Sequence, residues 1–100
     1  MRLGVIPWVG GERPSEGELR RRLEEEGYAV FCWSDAPDAH YESHAHDHDE
    51  SIWIVAGAMS FGVDGRILSL RAGDRLMLPA GTIHTADAGG EGATYLIGER

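Results

Sequence analysis

Histidines and acidic residues alternate in the segment from residue 44 to residue 50, which reads HAHDHDE. Imidazole and carboxylate groups are ligands that divalent transition metals accept. If the segment begins as a β-strand, the two-residue period of that strand places His44 and His46 on the same side of a sheet. The polar stretch 47–49 predicts a turn, after which Glu50 opens the next strand and faces the same interior. The segment therefore predicts part of a metal site.

A further imidazole follows in the segment from residue 73 to residue 84, which reads GDRLMLPAGTIH. Its Gly-Asp pair predicts a turn, its apolar residues predict a short strand, and its Pro-Ala-Gly run predicts a second turn. Another strand then begins at His84. A β-barrel would bring this strand back to the first segment, so the two segments together predict one metal site inside a barrel.

At these two segments the chain resembles the cupin superfamily. The first cupin motif, His-x-His followed by Glu and Gly, is matched by His44, His46, Glu50 and Gly57. The second motif, Gly followed by Pro-x-Gly and His, is matched by Gly73, Pro79, Gly81 and His84. Two motifs in the right order are far more specific than either motif by itself. The resemblance covers residues 28–97.

Two positions depart from the cupin pattern. Asp38 stands where the first motif would begin with Gly, and Ala88 stands where the second would end with Asn. Neither position is a metal ligand in the family, so the departures concern turn geometry. The resemblance therefore still implies that one divalent metal ion (Mn, Fe, Ni, Cu, Co or Zn) is held by the full ligand set: His44, His46, Glu50 and His84.

The resemblance also implies a fold and a function. The fold is all-β, a double-stranded β-helix or jelly-roll barrel with one short N-terminal helix. The implied function is that of a metal-binding protein that holds a small organic ligand in the barrel, as an enzyme such as a metal-dependent dioxygenase. Two alternatives remain open: a non-catalytic binding or sensor protein, and a metal-dependent isomerase or lyase. No catalytic residue beyond the ligands is predicted, and no dinucleotide fingerprint or phosphate loop is present.

Two simpler interpretations compete with the metal site. The histidines could form a surface cluster in an acidic loop, or the chain could keep the cupin fold and bind nothing. Other reactive side chains are given structural roles. His48 is expected in an exposed turn near the cavity mouth, with at most a supporting or gating role, and His40 is expected on the surface. Cys32 is expected to pack as a small hydrophobic residue.

The elements that must position these residues can be read from hydrophobic periodicity and turn signals. Ser15 and Glu18 form a capping box that predicts a helix over residues 15–26, with Leu19 and Leu23 on its buried face. This predicts an N-terminal extended segment and helix (1–27) packing on a cupin barrel (28–100). Within the barrel, Asp64-Gly65 predicts a hairpin. The predicted strands are 28–33, 41–46, 51–55, 59–63, 66–70, 75–78, 84–86 and 94–97.

Composition limits the kinds of partner. The net charge of −8 argues against a nucleic-acid partner, because such partners are bound through clustered Lys and Arg. No apolar run is long enough to span a bilayer, and the single cysteine fits a cytoplasmic protein. The alternation from Glu50 places Trp53 and Val55 on the outer face, where the N-terminal segment or a second subunit must cover them. A homodimer is therefore predicted.

Overall fold

A computed structural model describes all 100 residues as seven strands and one helix. The elements in chain order are β1 (Gly4–Ile6), α1 (Glu16–Glu25), β2 (Ala29–Asp35), β3 (His40–His44), β4 (Glu50–Val63), β5 (Arg66–Arg71), β6 (Arg75–Leu78) and β7 (His84–Glu99). The predicted all-β class with one N-terminal helix is confirmed. The helix begins after Ser15, whose hydroxyl accepts the backbone N–H of Glu18 at 3.4 Å. No helix is long and apolar enough to cross a membrane.

The two longest strands, β4 and β7, form the centre of the barrel. Every strand pair is antiparallel, and the sheet runs in the order β1-β6-β4-β7-β2, with β5 on β4 and β3 on β7. The beginning of β4 pairs with β6 and its end pairs with β5, while β7 pairs first with β3 and then with β2. Each long strand therefore belongs to both halves of the barrel, and three of the four predicted ligands lie at strand ends: His44 ends β3, Glu50 begins β4 and His84 begins β7.

Gly57 provides the bend that β4 needs. The register between β4 and β7 shifts on both sides of this residue, which is the signature of a β-bulge. Its φ angle is +75°, and a Cβ added there would lie 2.1 Å from the carbonyl oxygen of Gly92. Only glycine fits a position with positive φ and such a close backbone neighbour. This residue of the first motif therefore has a structural role.

Four details of the predicted strands are wrong. Segments 51–55 and 59–63 are one continuous strand, as are 84–86 and 94–97. Near the intervening glycines the register of the β4–β7 ladder shifts but neither strand ends, so a signal that resembled a turn marks a bulge or a bend. Strand β3 ends at His44 and leaves His46 in the following loop. Strand β1, which pairs with β6, was predicted only as an extended segment.

Apolar side chains form two clusters on opposite sides of the sheet. The interior cluster fills the barrel and includes Ile52, Ile54, Met59, Phe61 and Leu76. The second cluster lies under α1: Leu19, Leu23, Tyr28, Trp53 and Leu96. The alternation predicted from Glu50 is confirmed, because Glu50 and Ile52 face the interior while Trp53 faces the helix.

Helix α1 therefore covers Trp53, whose side chain is 7% exposed. Arg75 completes the cover: its guanidinium lies 4.7 Å from the Trp53 ring centre and binds both carboxylate oxygens of Glu26, at 2.8 and 3.0 Å. Val55 packs against the same cluster. Of the two covers that the sequence left open for Trp53 and Val55, the structure provides the N-terminal one. This face gives no reason to expect a homodimer.

Candidate metal centre

Three histidine side chains meet inside the barrel. His44, the last residue of β3, is directly opposite His84, the first residue of β7, in the antiparallel register. Their ring centres are 4.3 Å apart, and the ring of His46 lies 5.0 Å from that of His44 and 5.3 Å from that of His84. One nitrogen from each ring lies within 4.8 Å of the others, which is the spacing of ligands around one ion.

His46 is positioned by its loop, because it lies beyond the end of β3. The backbone N–H of Gly81 donates to the carbonyl oxygen of His46 at 2.8 Å. The N–H of Ala80 donates to the Asp49 carboxylate, also at 2.8 Å. Asp49 in turn exchanges two backbone hydrogen bonds with Arg100. The Pro-Ala-Gly turn of the second motif thus holds the loop of the first.

Hydrogen bonds to backbone carbonyls determine the tautomers of two histidines. The Nδ1 atom of His44 lies 2.6 Å from the carbonyl oxygen of Glu42, and Nδ1 of His84 lies 2.8 Å from that of Thr82. A carbonyl oxygen can only accept, so each Nδ1 carries a proton. In the neutral ring the lone pair is then on Nε2. Metal-binding histidines commonly have this arrangement, because it orients the ring and increases its basicity.

Burial keeps His84 neutral. Its side chain is 3% exposed, and loss of solvation lowers the pKa of its imidazole. The hydrogen bond to Thr82 acts in the opposite direction and raises this pKa, whereas the neighbouring His44 and His46 lower it further. The net shift is downward, and a neutral imidazole is the form that binds a metal ion.

Glu50, the remaining predicted ligand, is the first residue of β4 and is 5% exposed. Its Oε1 atom lies 3.5 Å from Nε2 of His46, and its Oε2 atom lies 3.2 Å from Nε2 of His48. The potential ligands form two overlapping groups that share His46: one also contains His44 and His84, and the other also contains His48 and Glu50. All four residues predicted from the sequence line one cavity.

His48 differs from the other three histidines of this region. Its Nδ1 lies 3.0 Å from the Asp47 carboxylate, and its Nε2 lies close to both Glu50 and Glu99, which is 2.7 Å away. These contacts, with Asp47 the strongest, raise the pKa of His48. The sequence placed His48 in an exposed turn, but the residue is half-buried and contacts Glu50. Glu99 lies near the end of the chain, and no local pattern linked it to this site.

The other two side chains that the sequence singled out lie outside the cavity. His40 is exposed and binds Asp87 at 2.6 Å, which agrees with its predicted surface position. Cys32 was expected to be packed, but it is exposed, with its thiol 3.6 Å from the Glu16 carboxylate. Its strand, β2, lies at the edge of the sheet, where this face is only partly covered by α1.

The cavity that contains the histidines has a volume of about 290 Å³ and mostly apolar walls. Of the five large side chains that the sequence offered as candidates to narrow it, Trp33, Met59 and Phe61 line it, whereas Phe31 and Met77 do not. The remaining wall residues are Tyr41, Ile52, Ala86, Tyr95 and Ile97. The two tyrosines were not predicted, because nothing in the local sequence shows that strands β3 and β7 bring them together.

Comparison with known proteins identifies the same region. A family model described as the cupin domain matches residues 31–97. No curated protein matches the chain. Among solved structures, an RmlC-like cupin from Shewanella frigidimarina is 26% identical and superposes with a TM-score of 0.65, over 72% of this chain and 64% of the Shewanella protein.

Two further solved structures are similar at comparable identity. KdgF from a Halomonas species is 26% identical, with a TM-score of 0.62 over 73% of this chain and 69% of its own. Oxalate decarboxylase from Bacillus subtilis, in a single-residue variant, is 27% identical, with a TM-score of 0.66. That match covers 72% of this chain but only 20% of the decarboxylase.

Proposed function

This chain belongs to the cupin domain family, and from that premise we propose that it holds one divalent metal ion and binds a small organic molecule beside it. The proposed metal ligands are His44, His46, Glu50 and His84. The observation that carries the proposal is the tautomer of His44 and His84, whose protonated Nδ1 atoms leave Nε2 free to bind. Three imidazoles and one carboxylate suit Mn, Fe, Co, Ni, Cu and Zn.

His48 is excluded from the proposed ligand set by its own hydrogen bonds. Carboxylate oxygens contact both of its ring nitrogens, so both nitrogens carry protons and neither offers a lone pair. Its contact with Glu50 instead makes it a positioning residue for that ligand. In a surface cluster the histidines would not divide into three that face one point and one that binds carboxylates. This division favours a metal site over a surface histidine cluster.

The residues that line the cavity support an enzyme that acts on a small organic substrate. A bound ion of this class would supply Lewis-acid or redox chemistry at one end of the cavity. Apolar side chains such as Ile52, Met59 and Phe61 exclude water from the substrate's body, and Trp33, which is 53% exposed, stands at the rim. We propose a metal-dependent dioxygenase first, with an isomerase or lyase as the second activity. A non-catalytic sensor is the alternative.

The similarity to oxalate decarboxylase supports a ligand that contacts the metal through oxygen. The name of that enzyme identifies a small carboxylate as its substrate, and the match covers 72% of this chain. This chain is similar to only a part of the decarboxylase, so the likeness favours a class of metal-binding group and does not extend to the reaction. Carboxylates, enols and diols are therefore the first compounds to test.

Metal analysis tests the proposal directly. Protein purified without a chelator or an affinity tag should contain close to one metal ion per chain. His84→Ala should abolish binding, whereas the matched control His40→Ala, which changes an exposed histidine outside the cavity, should leave it unchanged. Full metal content in His84→Ala would contradict the proposed site. Oxygen uptake by protein loaded anaerobically with Fe(II) or Mn(II) then separates an enzyme from a binding protein, which would show ligand-dependent stabilisation without turnover.

We also propose a homodimer, but one formed through a surface other than the Trp53 face. Strand β2 pairs only with β7, so its other edge is free, and residues 29–34 carry no charge to prevent pairing with another strand. Phe31 and Trp33 on this strand are each more than half exposed. Antiparallel pairing with β2 of a second copy would satisfy the free backbone groups and cover both aromatic rings.

A further inference from the structure

A carboxylate next to the cavity binds three hydrogen-bond donors that line it. Asp35, the last residue of β2, accepts the hydroxyl protons of Tyr41 on one oxygen and of Tyr95 on the other, the latter at 2.5 Å. The indole N–H of Trp33 also donates to Asp35, at 3.0 Å. Trp33, Tyr41 and Tyr95 all line the cavity. Three different strands thus supply one polar cluster, which we call the Asp35 cluster.

The Asp35 cluster shares its cavity with the candidate ligands and lies along the same strands. Tyr41 is in β3, which ends at His44, and it is paired with Ala86 in β7, which begins at His84. Tyr95 is further along β7, opposite Ile54 of β4. Between them, the cavity wall consists of apolar residues such as Ile52 and Phe61. The cavity therefore has two polar regions joined by an apolar wall.

The hydrogen bonds of the cluster restrict what it can do for a ligand. Both phenol protons are used by Asp35, so the two hydroxyls cannot donate to a third group. Their oxygens still have lone pairs; that of Tyr41 accepts from Trp33 at 3.1 Å, and that of Tyr95 has no donor. The bond to Asp35 raises the pKa of Tyr41, and burial raises that of Tyr95, so both remain phenols. Because its proton is held by Asp35, the Tyr95 hydroxyl can only accept a hydrogen bond from a ligand.

We propose that the Asp35 cluster is a second anchoring point for the ligand and selects molecules that carry an O–H or N–H donor remote from their metal-binding oxygen. This inference rests on the proposed function and specifies its ligand class: a small carboxylate or enol with an apolar body and a hydroxyl or amino group. A donor at that position completes the hydrogen bonding of Tyr95. An ether or carbonyl there would place its lone pairs against those of the phenol, which disfavours binding.

Substituted benzoates provide probes for this inference. Benzoate has a carboxylate for the metal and an apolar ring, and its 2-, 3- and 4-hydroxy derivatives add a donor at three different positions. The corresponding methoxy derivatives have an acceptor of similar polarity and no donor. Titration calorimetry with Mn(II)-loaded protein should show that at least one hydroxybenzoate binds about 3- to 10-fold more tightly than benzoate, the effect of one hydrogen bond. Its methoxy counterpart should not.

Three tyrosine variants locate the effect. Tyr95→Phe should retain the metal and the affinity for benzoate but lose the preference for the hydroxyl group. The matched control is Tyr28→Phe, because the hydroxyl of Tyr28 is buried without a partner outside the cavity. This control should keep the preference. Tyr41→Phe should also keep the preference, because the Tyr95 oxygen remains as the acceptor. If Tyr95→Phe unfolds, the comparison of hydroxy and methoxy derivatives with the wild-type protein still tests the inference.

Three results would overturn the inference: no hydroxybenzoate binds more tightly than benzoate, the methoxy derivatives share the preference, or the preference survives in folded Tyr95→Phe. Metal analysis of the same samples separates these results from a failure of the proposed function. A metal-loaded protein without the hydroxyl preference contradicts only the role of the Asp35 cluster. A protein that takes up no Mn(II) contradicts both the site and the inference that depends on it.

Discussion

The Nε2 atom of His48 lies 3.2 Å from one carboxylate oxygen of Glu50, while the other oxygen of Glu50 faces His46. The same His48 nitrogen is 2.7 Å from Glu99, at the end of the last strand. His48 therefore connects the buried carboxylate of the site to a second acid in β7. This arrangement orients Glu50 toward the three imidazoles and separates the role of His48 from theirs.

Replacement of His48 should weaken metal binding without abolishing it. His48→Ala leaves all four proposed ligands in place but removes the hydrogen bond that orients Glu50. Loss of such an outer contact commonly lowers metal affinity about 10- to 100-fold. Competition against a chelating dye measures this affinity. Complete loss of metal, equal to that of His84→Ala, would show that His48 is itself a ligand.

Gly57→Ala should destabilise the fold by about 2–4 kcal/mol, because it combines a positive φ with a backbone clash. The added Cβ would lie 2.1 Å from the carbonyl oxygen of Gly92. Gly65→Ala is the control: its φ is also positive, but no atom lies near the new Cβ, so a cost of about 1 kcal/mol is expected. Urea denaturation measures both, and equal costs would contradict the role of close backbone contact.

Arg75→Ala should lower the free energy of unfolding by about 2–4 kcal/mol. The buried guanidinium stacks on Trp53 and binds both Glu26 and the hydroxyl of Ser51, which lies 2.6 Å from Nε. Its loss leaves a gap under α1 and a buried hydroxyl with one partner fewer. Arg21→Ala removes an exposed ion pair and should cost under about 1 kcal/mol. Thermal unfolding, monitored by circular dichroism, compares the stabilities of the two variants.

Acid should remove part of the stability that Glu26 provides. Its hydrogen bonds to Arg75 lower the pKa of this carboxyl from its ordinary value of 4.5. Because the folded-state pKa is below the unfolded one, the contribution is present above about pH 4.5 and disappears as the pH falls through the folded value. Glu26→Gln should therefore be less stable than wild type at pH 7, with a difference that shrinks toward pH 3. A difference that grows in acid would contradict this assignment.

Phe31→Glu should shift the proposed dimer toward the monomer. Phe31 is 52% exposed on the free edge strand, so the change leaves the core intact and places a charge in the proposed contact. Ile67→Glu on β5, also exposed, should leave the assembly unchanged. Sedimentation at micromolar concentration measures the mass, and a wild-type monomer of 10.9 kDa would contradict the dimer. Trp53→Glu should instead unfold the protein.

The sequence contained enough local information to predict the helix and the hairpin, whereas the convergence of the histidines followed from the resemblance to the two cupin motifs. The N-cap at Ser15 and the hairpin at Asp64-Gly65 depend on residues close together in the chain, and both are confirmed. The side chain of Glu18 binds Arg22 and does not complete the predicted capping box. The position of Glu50 at the start of a buried strand followed from the alternation after it. These features could be predicted because each depends on the preferences of a few neighbouring residues.

Contacts between distant strands that no family motif marks were not predicted. The pairing of Asp35 with Tyr95 and of His48 with Glu99 requires knowledge of which strands are neighbours. The continuity of β4 through Gly57 was also missed, because a glycine with positive φ occurs in turns and in bulges. Similarly, the alternation correctly placed Trp53 on the outer face but did not identify what covers it.

The hydrogen bonds between the loop of His46 and the turn at Gly81 have a consequence for the order of folding. These bonds, and the pairing of His44 with His84, join residues far apart in the chain, so they must form after slow loop closure. In the unfolded chain only the ligands of the first segment, residues 44–50, are close to one another, because they are neighbours in the sequence. A metal ion present during refolding would thus stabilise mainly the product, slowing unfolding more than it accelerates folding.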